Sequence, residues 1–511
     1  MKIEKCCFAA MMAAVVLAAG CATSKKDFIQ TRESFAAGSF TEANGLAGKH
    51  LDQKPENDLT DSALLWRLHR GAIYGAEGNF PMAEKQWEIA QPAFEYSWEN
   101  ERFSILGDTL GVIVPADGKK YYAKPHEGVM IYTYKMLNAL QTGDPEEAVR
   151  HLVAAMEFSE EVMREAAQRV EERKAKGLAD PSDLALNATS SEFAKSENDE
   201  AKEGKSLSAD ATTSLVQMVR DKQREADLEV ELAGYGNYMN PLTGLMTYIL
   251  LKTHGTGFPT TAVNDAKREL EDLVVFAPHN SVVKRIKSDV RKPLTNTVFV
   301  FFETGMAPWQ EEIKHSFWIP PVTDLKWFPS SFNVAWPELR ANPDFVPYMG
   351  VSAAGGETVK TELLANFDAI VKQSFDDAWP GVVARQVSQA VYLTVLNAAV
   401  NYTAQRVADK NIQNENTKAW AKIGANVATH LAAQYLTSAD TRSWDLLPKQ
   451  VQVAMLDIPA DRKLALSFPA NAGKGGWKGS VTLGQGDVMA VWVKSVGRSQ
   501  AAPLVTQFKF K

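Results

Sequence analysis

Apolar and polar positions alternate in three different ways along the chain. An unbroken apolar run from Cys6 to Gly20 follows two lysines; apolar residues then recur at helical spacing up to about position 290; from about Arg291 the period shortens to two in several places. The middle regime predicts helices. Three of its segments place a small turn between two helical stretches: Ala37-Gly38-Ser39-Phe40-Thr41-Glu42-Ala43, Glu77-Gly78-Asn79-Phe80-Pro81-Met82-Ala83-Glu84 and Thr142-Gly143-Asp144-Pro145-Glu146-Glu147-Ala148. Each has a glycine at a helix end, where a left-handed conformation is cheap, and an alanine five residues on, where two helices approach closely. Between the second and third, Phe103 to Pro125 is punctuated by Gly107, Gly111, Pro115 and Gly118 and reads as a long loop. Tyr121, Tyr122 and His126 there form either a contact patch or packing against neighbouring helices.

A charged helix is expected from His151 to Lys176 and another from Thr212 to about Leu232. The intervening 177–211 stretch has too few apolar side chains to order itself. It reads as the loose tip of a hairpin, or as an arm that reaches a partner. An apolar helix near Leu242 and a helix pair with Pro278 at its turn complete this half.

In the last regime Val298-Phe299-Val300-Phe301-Phe302 is a continuous apolar run and predicts a buried strand. Ile313, His315, Phe317 and Ile319 alternate, which makes His315 a packed strand residue. Helices are expected again from Thr358 to Leu436. Further strands are expected around Val451, Leu464, Val488 to Val493, and Phe508. The fold class is therefore mainly α with a C-terminal α+β part. The expected organisation is 1–20 as a signal, 21–290 as a helical domain, and 291–511 as an α+β domain with strands from both of its ends.

The first regime gives an address. A basic start, about fifteen apolar residues and small residues before a cut site make a secretory signal peptide, too short to span a membrane. Leu17-Ala18-Ala19-Gly20-Cys21 resembles the bacterial lipobox, which implies acylation of Cys21 and stable anchoring by more than one chain. The alternative is an ordinary signal whose cleavage region contains a cysteine. Ala22 stands where many inner-membrane lipoproteins have Asp, so the resemblance implies the outer membrane, facing the periplasm. Cys6 and Cys7 leave with the signal, so the mature chain builds no internal disulfide and relies on its core. With 511 residues and 45% apolar content it has the length for one. The formal charge of −7 gives no global attraction for nucleic acid or anionic headgroups, which leaves membrane binding to the lipid.

Gly71, Tyr74, Gly78, Phe80, Ala83, Trp87 and Ala90 fall at the offsets of the tetratricopeptide (TPR) consensus, so Ser62 to Glu95 resembles one such repeat. A generic run of antiparallel helices is the other reading. Phe302-Glu303-Thr304-Gly305-Met306-Ala307-Pro308 and Ala439-Asp440-Thr441-Arg442-Ser443-Trp444-Asp445-Leu446-Leu447-Pro448, together with the lipobox and the repeats, resemble an uncharacterised family of bacterial TPR-like lipoproteins. That resemblance implies cell-envelope work, with a link to peptidoglycan synthesis, and no catalytic residue. Arg442 can fork onto a carboxylate and Trp444 is a large apolar plate; the pair reads as a domain latch or as a partner contact.

Searches for chemistry find little. Eight scattered histidines give no zinc spacing. Gly350-Val351-Ser352-Ala353-Ala354-Gly355 misses a nucleophile elbow by one position. The glycine-rich 473–479 stretch lacks the ending and the helix that phosphate cradling needs. No cofactor or metal is expected. The functional expectation is a lipid-anchored scaffold or adaptor that binds another envelope protein. The alternative is an enzyme or ligand-binding module in the α+β part, which requires a pocket where polar groups converge around Arg442, Trp444 or His315.

Overall fold

The computed structural model describes residues 25–52, 61–104, 121, 124–175, 240–258, 271–289, 291–318, 331–353, 355–379, 382, 409, 414–415, 437–469 and 476–511. The signal region with Cys21, the 177–211 stretch, the expected helix from Thr212, Tyr122, Ile319, most of 383–436 and Gly473 lie outside the described residues.

Helices cover 25–36 (α1), Phe40–Leu51 (α2), Asp61–Glu77 (α3), Phe80–Ser104 (α4), Pro125–Thr142 (α5) and Pro145–Ala175 (α6). They pair as three hairpins whose turns share one construction. Gly38, Gly78 and Gly143 have φ of 76°, 79° and 84°. The next residue returns its N–H to a carbonyl five positions back: Ser39 to Ser34 at 2.8 Å, Asn79 to Tyr74 at 2.9 Å and Asp144 to Ala139 at 2.8 Å. That bond closes a Schellman motif, which needs the left-handed residue before it. The same three residues then open the following helix, their carbonyls accepting from Ala43, Ala83 and Ala148. Those alanines are fully buried, where the paired helices touch.

Among the described residues, further helices are Pro241–His254 (α7), 271–276 (α8), Ser281–Asp289 (α9) and 367–379 (α10). Pro278 lies in the turn between α8 and α9.

The strands are Thr297–Thr304 (β1), Trp309–Trp318 (β2), Ser331–Arg340 (β3), Gly350–Ala353 (β4), Val359–Lys360 (β5), Glu362–Asn366 (β6), Gln450–Asp457 (β7), Lys463–Ser467 (β8), Lys478–Thr482 (β9), Val488–Ser495 (β10) and Leu504–Lys509 (β11). A five-stranded sheet runs β11-β10-β1-β7-β6, with β1 parallel to β10 and antiparallel to β7. A four-stranded sheet runs β5-β4-β8-β9, and β2 with β3 makes a separate two-stranded sheet.

The chain is thus layered as helices, five-stranded sheet and four-stranded sheet. On β1, Phe299 and Phe301 join the core shared with the helices, while Val298, Val300 and Phe302 join the core against the second sheet. Burial on both faces explains why Val298 to Phe302 is apolar at every position rather than alternating. The first core extends from Phe35 through α3 and α5 to Trp492 and Phe510, so the described parts of 21–290 and 291–511 share one interior. Every residue of α5 from His126 to Leu140 is buried. The inner face of the hairpins is occupied by the chain's own sheet.

Three expectations need correction. Helix does not resume at Thr358: Val359–Lys360 and Glu362–Asn366 are strands and α10 begins at 367. Pairing of β6 with β7 overrides the helix-compatible Leu363-Leu364-Ala365. β3 and β4 escaped the pattern altogether. Pro337 lies inside β3, and it is tolerated because, among the described residues, β3 pairs only with β2 and its other edge needs no donor. Finally, the loop expected from Phe103 to Pro125 gives up both ends to helix, because α4 reaches Ser104 and α5 starts at Pro125; Tyr121 and His126 are buried, in keeping with the packing reading.

Candidate functional site

The segment from Ala439 to Pro448 carries no regular structure, yet most of it is buried. Trp444 is 1% exposed and its ring meets Tyr134 of α5 at 5.9 Å. Its backbone N–H donates to Glu127 Oε1 at 3.1 Å. One residue on, Asp445 Oδ1 bonds His69 Nε2 of α3 at 2.9 Å, and Lys124 Nζ donates to the Arg442 carbonyl at 2.6 Å. The segment is therefore held to two inner helices by a buried aromatic and three polar bonds. Trp444 is thus an interior residue packed on α5.

Arg442 has a different position. Its guanidinium forks onto Asp440, Nε to Oδ1 at 2.8 Å and Nη2 to Oδ2 at 2.7 Å, and lies 5.6 Å from the Tyr121 ring. This pair forms one wall of a cavity of about 330 Å³ where α1, the start of α3, the start of β2 and the 440–445 segment meet. That volume is within the lower range of small-molecule sites.

The cavity is built from positions that the chain keeps far apart. Lys25, Phe28 and Arg32 recur along α1 at helical spacing and supply one side. Phe28 stacks on Trp66 of α3 at 3.8 Å with the planes 8° apart, and His50 stacks on Trp66 at 4.2 Å. Across from α1 stands Trp309, the first residue of β2, with the Arg32 guanidinium 4.6 Å from its ring centroid. Glu311 is held by Arg340 at 2.8 Å, and Glu312 accepts from the Ala439 N–H at 2.9 Å.

Burial shifts several groups behind this wall. It pushes Glu127 up, against the pull of Lys124 and three hydrogen bonds, and it pushes the Lys124 amine down, against Glu127 and Asp440. Tyr121, which donates to Glu127, is raised well above the usual phenol range by burial and by that carboxylate. Burial also acts to raise Asp440, but the charge and hydrogen bonds of Arg442 hold it below the ordinary carboxylate value. Buried, shifted ionisable groups beside a concavity are a frequent signature of function. The carboxylates lining the cavity are each already engaged by a cation or a backbone donor, an arrangement suited to recognition.

The seven residues at TPR offsets do not line this cavity. They pack the α3–α4 hairpin: a Cβ on Gly71 would fall 2.2 Å from Trp87 Nε1, and Trp87 stacks on Tyr134 at 5.2 Å. Tyr74, Ala83 and Ala90 are buried, Phe80 is half-buried and Gly78 makes the turn. His315 stacks on Trp336 at 4.3 Å within the β2–β3 pair, away from the cavity lining. Sequence reasoning singled out Arg442 and Trp444 and missed Arg32, Trp66 and Trp309. Nothing in their local patterns separates them from ordinary amphipathic positions.

Among the described residues, no three His, Cys, Asp or Glu side chains are grouped to hold a metal ion, and no helix is long and apolar enough to cross a membrane. No family model, curated protein or solved structure matches the chain.

Proposed function

We propose that this chain is a lipid-anchored, periplasm-facing adaptor of the cell envelope, and that it binds through the cavity between α1, β2 and the 440–445 segment. The observation that carries the choice of site is the burial of α3 and α5 under the chain's own sheet. A repeat stack of TPR type ordinarily offers its concave inner face to a partner; here that face is filled, and the cavity at its edge offers a concave surface instead. The three Gly-turn hairpins and the TPR-offset residues support TPR-like repeats as the scaffold.

The lipobox at Leu17 to Cys21 supports anchoring, and Ala22 supports the outer membrane. The anchor and the cavity would be close neighbours. Lys25 lines the cavity and stands four residues after Cys21, so even an extended link spans only roughly 14 Å. Binding would occur at the membrane surface. A ligand or partner linked to peptidoglycan synthesis agrees with that placement. The reading is of binding without turnover, because the cavity carboxylates are tied into ion pairs and backbone bonds.

The test uses photo-crosslinking residues placed singly at Ile29, which lines the cavity, and at Met82, which is exposed on α4, in intact envelopes. A specific adduct from position 29 that disappears in Cys21→Ala, with none from 82, is the expected result. An adduct only from 82 would move the binding face to the outside of the hairpins. Retention of Cys21→Ala in the membrane fraction would end the lipid-anchor reading.

A further inference from the structure

Arg32 is the anomaly of the cavity. Its side chain is 19% exposed and its guanidinium lies over Trp309, 4.6 Å from the ring centroid. Among the described residues its one charged neighbour is Asp445 Oδ2, at 3.5 Å, and no hydrogen bond reaches any of its five donors. Asp445 is meanwhile bonded through its other oxygen to His69 at 2.9 Å. The contrast with Arg442, which forks tightly onto Asp440, is sharp. A guanidinium that lines the cavity with unused donors can take acceptors supplied there.

We infer that Arg32 is the anchor for a carboxylate on a small ligand, whose body lies between the Phe28–Trp66 stack and Trp309. This rests on the cavity being the binding site. A planar, two-oxygen anion matches the fork of a guanidinium already seated on an indole. The charge balance limits how much negative charge can enter: the lining holds Lys25, Arg32 and Arg442 against Glu311, Glu312, Asp440 and Asp445, which disfavours a dianion more than a singly charged carboxylate held locally by Arg32. A dianionic phosphate would meet a net negative wall. Donors on the ligand would face Glu312 and Asp445, which favours a hydroxy or acylamino acid over a plain fatty acid.

The experiment is calorimetric titration of the detergent-solubilised acylated chain with lactate, benzoate and N-acetylalanine, each beside its uncharged amide, and with inorganic phosphate and glucose. A carboxylate that binds while its amide does not, and that weakens at least about tenfold in Arg32→Lys, is the expected result. Trp309→Leu should weaken it as well, whereas Arg150→Lys, at an exposed side chain of α6, should not. Circular dichroism melts of each variant establish that folding is retained. Glucose or the amides binding in a Trp309-dependent but Arg32-independent manner would overturn the carboxylate while keeping the site. Phosphate binding more tightly than any carboxylate would overturn the charge argument. Binding unaffected by Arg32 and Trp309, or no binding by any probe, would overturn both the ligand class and the site.

Discussion

His126 should make this protein sensitive to acid through a single side chain. The ring is 2% exposed at the start of α5, and neither nitrogen has a hydrogen-bond partner among the described residues. Burial, with Lys124 adding repulsion, lowers its pKa from 6.5 to about 3. An imidazole that stays neutral when folded and takes a proton when unfolded favours the unfolded state as pH falls below 6.5, and its penalty saturates near the folded value. Between pH 7 and 4.5 the unfolded chain gains almost one proton per molecule here, so His126 alone should remove about 2.5 kcal/mol of stability. The stability is present above the unfolded pKa and lost through the window down to about 3. His126→Leu removes the titration and also removes two unpartnered polar atoms, worth roughly 1–3 kcal/mol when buried. The assay is urea denaturation of both proteins at pH 7 and pH 4.5. The variant should be the more stable at pH 7, and the gap should widen by about 2.5 kcal/mol at pH 4.5. Parallel losses in the two proteins would refute the buried neutral imidazole, since every other group titrates identically in both.

Three further perturbations test the packing. Trp444→Ala should cost about 3–5 kcal/mol and expose 439–448 to limited proteolysis, because it empties the seat against Tyr134; an unchanged urea midpoint would show that the segment is not a latch. Lys494→Met strands the carboxylate of Glu303, which faces the helices with bonds to Tyr134 at 3.0 Å and Trp492 at 3.1 Å, and should cost about 3–5 kcal/mol. Adding Glu303→Leu should recover most of that loss; failure to do so would place the effect in packing. Gly71→Ala and Gly143→Ala separate two roles of glycine: the first should cost about 1–3 kcal/mol by forcing Trp87 aside. The second, with φ of 84° and nothing within 4 Å, should cost only about 1 kcal/mol of backbone strain, and thermal melts should rank them in that order.

What the sequence determined by itself was everything carried by neighbours along the chain. A glycine followed by Ser39, Asn79 or Asp144 specifies a helix end and the next helix start within six residues, so three hairpins were legible from local chemistry. The apolar run at Val298 to Phe302 announced a strand buried on both faces for the same reason: the requirement sits on consecutive residues. Strands whose identity depends on a distant partner were not legible. Leu363 to Ala365 is strand because β7 lies beside it, and β3 tolerates Pro337 because its outer edge is unpaired. The site belongs to the second class. Asp445 and His69 are 376 positions apart, and Arg32, Trp309 and Asp440 come from three elements whose local patterns resemble those of any amphipathic surface. Trp444 and Arg442 were legible as candidates because they share one short segment. Their separate roles, one filling the interior and one lining the cavity, were decided by which helix each side chain met when the hairpins closed over the sheet.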